Sequence, residues 1–67
     1  MSIAKISEIS ATSTKSFEDA IQQGIARATK TLRNVRSVWI KEQHVRVENE
    51  RPSEYQVNMM VTFVLED

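Results

Sequence analysis

There is no cysteine among the 67 residues of this chain. Disulfides and thiolate metal sites are therefore excluded together. Charge of one sign is also missing, because nine Lys and Arg balance nine Asp and Glu. That balance removes the electrostatic grounds for expecting nucleic acid or an anionic membrane surface as a partner. No apolar run approaches the roughly 18 residues of a membrane span. The first residues, Met1-Ser2-Ile3-Ala4-Lys5, lack the apolar core of a signal peptide. These absences predict a soluble, cytoplasmic protein. The single histidine, His44, and the scattered carboxylates do not compose a transition-metal site.

A chain of this length makes one domain, 1–67, and buries only about 60% of its unfolded surface. Scaffolds this small usually add a disulfide, a metal or a partner subunit. With the first two removed, association with further copies remains.

The apolar pattern orders the chain as β-α-β-β. Ile3 to Ile9 reads as a first strand, and the hydroxyl-rich run at 10–16 as a loop. Ser16 is placed to cap a helix, with Asp19 at the third position of a capping box and Glu18 beside it at the positive helix end. Phe17, Ala20, Ile21, Gly24, Ile25, Ala28 and Leu32 recur at spacings of three and four and form one apolar stripe. Arg27, Lys30 and Arg33 crowd the C-terminal half, and Asn34 can stop the helix in a left-handed conformation. Gly24 costs about 1 kcal/mol against alanine at mid-helix, which suggests that another backbone approaches closely there.

Two long strands follow, joined by a polar connection, Asn49-Glu50-Arg51-Pro52-Ser53. In the last strand, Glu54 to Leu65, the odd positions Tyr55, Val57, Met59, Val61, Phe63 and Leu65 form the face that covers the helix stripe. The expected fold class is α+β: a three-stranded antiparallel sheet packed on one helix.

One helix covers one face, so the far face of a monomer should be polar. Here Met60 and Val64 fall on it. In the strand around Trp39, Val38 and Ile40 lie on one side while Trp39, Val45 and Val47 lie on the other. A phase slip near Gln43-His44 would rearrange these sides, yet no register turns them all inward. Apolar surface of this kind marks a subunit interface or a ligand groove.

Thr12-Ser13, Ala28-Thr29-Lys30-Thr31-Leu32-Arg33-Asn34, Glu54-Tyr55-Gln56-Val57 and Val61-Thr62-Phe63-Val64-Leu65-Glu66 together resemble the dodecins. The resemblance spans Lys5 to Glu66. It implies a sheet partly wrapped round the helix, assembly into a hollow homo-oligomer (a dodecamer), and non-covalent flavin binding for storage. In flavin-binding members a tryptophan a few residues after the helix-ending arginine stacks on the isoalloxazine ring. A glutamine from the Tyr-Gln-Val segment hydrogen-bonds the ring edge. Gln56 matches that glutamine. Ser37 occupies the tryptophan position, and Trp39 follows two residues later, on the same strand face but about 6–7 Å along it. His44 stands where many members carry arginine, and Thr62 and Val64 replace the usual Gly and Arg of the terminal segment.

The resemblance thus implies Trp39, Gln56, Ser37 and His44 as cofactor-binding residues for riboflavin, FMN or FAD. Trp39 is otherwise an interface anchor, Gln56 a cross-strand or intersubunit hydrogen-bonding group, Ser37 a filler of space and His44 a surface residue. The alternative function is an oligomeric shell that has lost flavin and holds another small molecule, an ion or nothing. No catalytic constellation is present in the sequence, because His44 has no nucleophile or carboxylate placed beside it. Glu48, Asn49, Glu50 and Glu54 lack the spacing of an EF-hand and read as a solvated hairpin rather than a calcium site.

Overall fold

The computed structural model describes residues 3–65; Met1, Ser2, Glu66 and Asp67 lie outside the described residues. The elements are β1 (Ala4–Ser13), α1 (Phe17–Thr31), β2 (Val35–Glu48) and β3 (Arg51–Val64). They build one antiparallel sheet of order β1-β3-β2. The last strand is therefore the central one, and the strand carrying Trp39 is an edge.

Ser16 caps α1 as expected: it is extended, and its hydroxyl accepts the Asp19 N–H at 3.0 Å. The reciprocal half of the capping box is not formed. Asp19 instead accepts from the buried Ser13 hydroxyl at 2.6 Å and from the Gln23 amide at 2.6 Å. The Ser13 bond, together with Gln23 and the charge of Lys15, holds the Asp19 carboxyl below the usual aspartate range, against a smaller desolvation effect that raises it. A carboxylate depressed in the folded state stabilises fully above the ordinary aspartate range and loses that contribution as pH falls through the lowered value. Asp19→Asn is expected to lower thermal stability at neutral pH and to flatten its acid limb, read from unfolding curves across that range.

At the other end Leu32 leaves the helix in an extended conformation, its N–H bonded to the Ala28 carbonyl at 2.9 Å. Asn34 is left-handed (φ 60°), as its residue type allows. Its carbonyl accepts the Val64 N–H at 3.1 Å, which ties the helix exit to the end of β3.

The core lies between α1 and the odd face of β3. Ala20, Val57 and Met59 are fully buried, with Ile9, Ala11, Phe17, Ile21 and Val38 packed around them. Phe17 and Tyr55 meet edge to face, with ring centroids 5.1 Å apart. The close approach at Gly24 is made by side chains rather than by a backbone: a Cβ there would collide with the Met59 methyl and crowd the Ala11 Cβ at 3.2 Å.

Four boundaries differ from the sequence reading. β1 does not end at Ile9; Ser10, Ala11, Thr12 and Ser13 pair with Asn58, Val57, Gln56 and Tyr55. A central strand offering a full ladder outweighs the weak local competition of hydroxyl side chains. The connection between β2 and β3 is two residues, Asn49-Glu50, with Arg51, Pro52 and Ser53 already in β3. Both turn residues have positive φ (52° and 62°), the backbone of a hairpin turn that matches strand twist. Since Glu50 is neither Gly nor Asn, Glu50→Gly should raise stability by about 1 kcal/mol in denaturant melts. The β2–β3 register shifts at three places, between Val35 and Ser37, between Ile40 and Glu42, and between Arg46 and Val47; the one nearest the expected slip at Gln43-His44 leaves Lys41 as the extra residue. Finally, the slip puts Val45 opposite Tyr55 on the helix side instead of beside Trp39.

A 15-residue helix is about 22 Å long, whereas 14-residue strands reach about 46 Å. The chain measures 51 × 19 × 13 Å, so the β2–β3 hairpin projects beyond the helix. Ile40 and Val45 on the helix side of β2, with Val47 farther along the hairpin, stay solvent-exposed. Apolar area is thus left uncovered on both faces of the sheet.

Candidate functional site

Alternation along β3 sends Gln56, Asn58, Met60 and Thr62 to the face away from the helix, and the strand register then decides what joins them. Ser37 lies opposite Thr62, Trp39 opposite Met60, Glu42 opposite Asn58 and His44 opposite Gln56. On the other flank β1 adds Ile6, Glu8, Ser10 and Thr12. Trp39 and His44 are five residues apart and would point to opposite faces of a regular strand. The extra residue at Lys41 brings them to the same one.

The four residues selected from the sequence therefore share a face. They do not form one contact cluster within the chain. Trp39 sits opposite Met60, and Met60 is four residues from Gln56, about 13 Å along the strand. Ser37 is one row farther still. Trp39 is 47% exposed, a large apolar ring open to an incoming surface. Gln56 is held: its amide nitrogen donates to the Ser10 hydroxyl at 3.0 Å and to the Asn58 carbonyl oxygen at 3.2 Å. No described residue donates to the Gln56 carbonyl oxygen. His44 and Gln56, with Val45, Arg46 and Glu54, line a shallow cleft of about 260 Å³.

Three further residues belong to this face and were missed from the sequence. Lys41 reaches Glu8 at 3.4 Å, an ion pair that links β2 to β1 across the central strand. Glu42 accepts from the Asn58 amide at 3.0 Å. Arg46 pairs with Glu54 at 3.7 Å. Asn58 was legible from the parity of β3. Lys41 and Glu42 were not, because their placement depends on the bulge. Among the described residues no three His, Cys, Asp or Glu side chains gather as a metal cluster would require, and no helix is long and apolar enough to cross a membrane.

The fold and this face define a small β-α-β-β protein, helix-covered on one side of its sheet and carrying an open indole and a tethered amide on the other. The chain belongs to the dodecin family: the family's sequence model, Dodecin, matches residues 3–66. An arginine-to-alanine mutant of the Thermus thermophilus dodecin is 37% identical over 100% of both chains, with a TM-score of 0.94. The dodecin of Streptomyces davaonensis is 29% identical over 98% of this chain and 97% of its own, with a TM-score of 0.92. A Mycobacterium tuberculosis protein described as a calcium-chelating immunodominant antigen, calcium dodecin, is 25% identical, covers 96% of this chain and 91% of its own, and has a TM-score of 0.83. No curated protein sequence matches this one.

Proposed function

We propose that this protein is a non-enzymatic, cytoplasmic flavin-binding dodecin, which assembles as a homo-oligomer, a dodecamer by family likeness, and stores or protects the flavin. Family membership supports the class, and the half-exposed indole of Trp39 on the outward face carries the reading. A bound flavin supplies a planar, light-absorbing, redox-active ring with an amide-like edge. The residues present fit such a group. Trp39 offers the stacking surface, worth on the order of 0.5–1.5 kcal/mol beyond area burial. The free carbonyl oxygen of Gln56 suits a ring N–H, because its own amide nitrogen is already committed to Ser10 and Asn58. Ser37 leaves room where relatives place an indole. His44, opposite Gln56, would supply a polar contact to the tail of a phosphorylated flavin.

Trp39 and Gln56 of one chain stand about 13 Å apart along the strand. Assembly answers that gap, since a second copy can bring its own Trp39 or Gln56 to the same ligand. The test is a titration of apo-protein with riboflavin and FMN, followed by flavin fluorescence. Strong quenching at about one flavin per subunit supports the reading. The second reading, a shell without flavin, draws on the placement of Trp39 opposite Met60 rather than at position 37. An assembled particle that leaves high-micromolar flavin unquenched would establish it. The M. tuberculosis relative adds calcium as a ligand to assay in that case.

A further inference from the structure

The two ends of an amide side chain have opposite hydrogen-bonding sense, so a glutamine beside a ligand presents either its carbonyl oxygen or its nitrogen. At Gln56 the choice is made by a row of polar groups that crosses all three strands. Glu42 of β2 accepts from the Asn58 amide nitrogen at 3.0 Å. The Asn58 carbonyl oxygen accepts from the Gln56 nitrogen at 3.2 Å, and the Ser10 hydroxyl of β1 accepts from the same nitrogen at 3.0 Å.

This row has one fixed end. Ser10 is a hydroxyl, which donates or accepts and so follows whichever end of Gln56 it meets. Asn58 and Gln56 are amides that run in either sense. Glu42 alone is one-sided, because an ionised carboxylate only accepts. It takes the nitrogen of Asn58, the oxygen of Asn58 then takes the nitrogen of Gln56, and the Gln56 oxygen is left over. Reversing the row would set the Asn58 oxygen against the Glu42 carboxylate, two acceptors with no proton between them. Glu42 has no competing use among the described residues: the ion pairs are Lys41–Glu8 and Arg46–Glu54, and Asn58 is its hydrogen-bond partner. The extra residue at Lys41 is what sets Glu42 opposite Asn58.

We propose that Glu42 is a positioning residue: acting through Asn58, it turns the Gln56 carbonyl oxygen outward and restricts the site to planar rings whose edge presents an N–H. This rests on the flavin reading above and names what that site selects. The imide edge of a flavin carries such an N–H between two carbonyl groups, and alkylating that nitrogen removes it. A ligand that offers only acceptors along its edge meets the Gln56 oxygen without a proton to share and is rejected.

The test exploits the reversibility of amides. Glu42→Gln keeps the size of the side chain but frees the row to run in either sense. Adding Asn58→Asp places an acceptor-only group at the next position of the row, directly on the Gln56 nitrogen, and restores the net charge. Riboflavin and its N3-methyl derivative are titrated into wild type, Glu42→Gln and the double variant, followed by flavin fluorescence. Wild type is expected to favour riboflavin by about tenfold, a difference on the scale of one hydrogen bond. In Glu42→Gln that ratio should shrink by about fivefold, and the double variant should regain it. A merely structural role for Glu42 would weaken both ligands alike and leave the ratio unmoved. In the flavin-free proteins, hydrogen exchange of the Gln56 side-chain amide, read by NMR, reports its sense directly. Exchange should be slow in wild type and in the double variant, where both N–H groups are bonded within the row, and several-fold faster in Glu42→Gln. An unchanged ratio or unchanged exchange in Glu42→Gln overturns the positioning role while leaving flavin binding standing. Failure of wild type to bind riboflavin overturns the flavin reading and the ligand choice with it, and the exchange rates then decide by themselves whether Glu42 sets the sense of Gln56.

Discussion

Trp39→Ala is expected to weaken flavin binding by about a hundredfold and to abolish quenching at low micromolar protein. The estimate joins two effects. Removing an apolar ring from contact with a ligand forfeits roughly 1.5–3 kcal/mol of burial. Lost aromatic stacking adds on the order of 0.5–1.5 kcal/mol. Each 1.4 kcal/mol is about tenfold in affinity. The fold should be untouched, because Trp39 lies on the face away from the core and its ring is half open to solvent. Fluorescence titration, with native mass to confirm assembly, reads both sides. Quenching that survives in the variant would place the platform elsewhere. The double change Ser37→Trp with Trp39→Ala then moves the ring back two residues on the same face and shows whether the site tolerates either position.

Met59→Ala is expected to cost about 3 kcal/mol, the largest stability effect of any single truncation in this chain. Met59 is the largest fully buried side chain and is centred between Ile40 on β2, Ile9 on β1 and the gap left by Gly24 on the helix. Its removal opens a cavity between the central strand, β1 and the helix at Gly24. A small domain holds only about 5 kcal/mol or so in total. Urea unfolding, read by circular dichroism at a protein concentration where wild-type assembly is known, measures the loss. A cost below about 1 kcal/mol would mean that Ile9 and Ile40 collapse into the vacated space. Gly24→Ala combined with Met59→Ala should recover part of the loss, because the added methyl occupies the volume that the Met59 terminus leaves.

Much of the fold was legible in periodicity. Seven apolar positions at helical spacing placed α1 closely, and Ser16 marked its start through local chemistry; its end came earlier than the expected stop at Asn34, because Leu32 is already extended and the left-handed Asn34 lies beyond it. The odd face of β3 was equally plain: Val57, Met59 and Val61 are buried completely. The errors lay where a long-range partner overrides a weak local preference. Ser10, Thr12 and Ser13 read as loop because hydroxyls compete with regular pairing, yet the ladder with β3 holds them extended.

For the candidate site, residue types and family pattern singled out Trp39, Gln56, Ser37 and His44, but not their geometry. Periodicity alone separates Trp39 from His44, since five residues along a strand is an odd number. One bulge at Lys41 reverses that parity, and a bulge leaves no reliable mark in residue type. It also carries Lys41 toward Glu8 and Glu42 toward Asn58, contacts that join residues 33 and 16 positions apart.

By itself, then, the sequence determined the helix, the buried face, the absence of disulfide staples, and the surplus of apolar surface that one helix cannot cover. Those properties follow from composition and short-range spacing. The tertiary structure decided which strand is central, which residues share the outward face with Trp39, and that the hairpin outruns the helix. Each depends on register between strands remote in sequence, where a slip of one residue exchanges the two faces of the sheet.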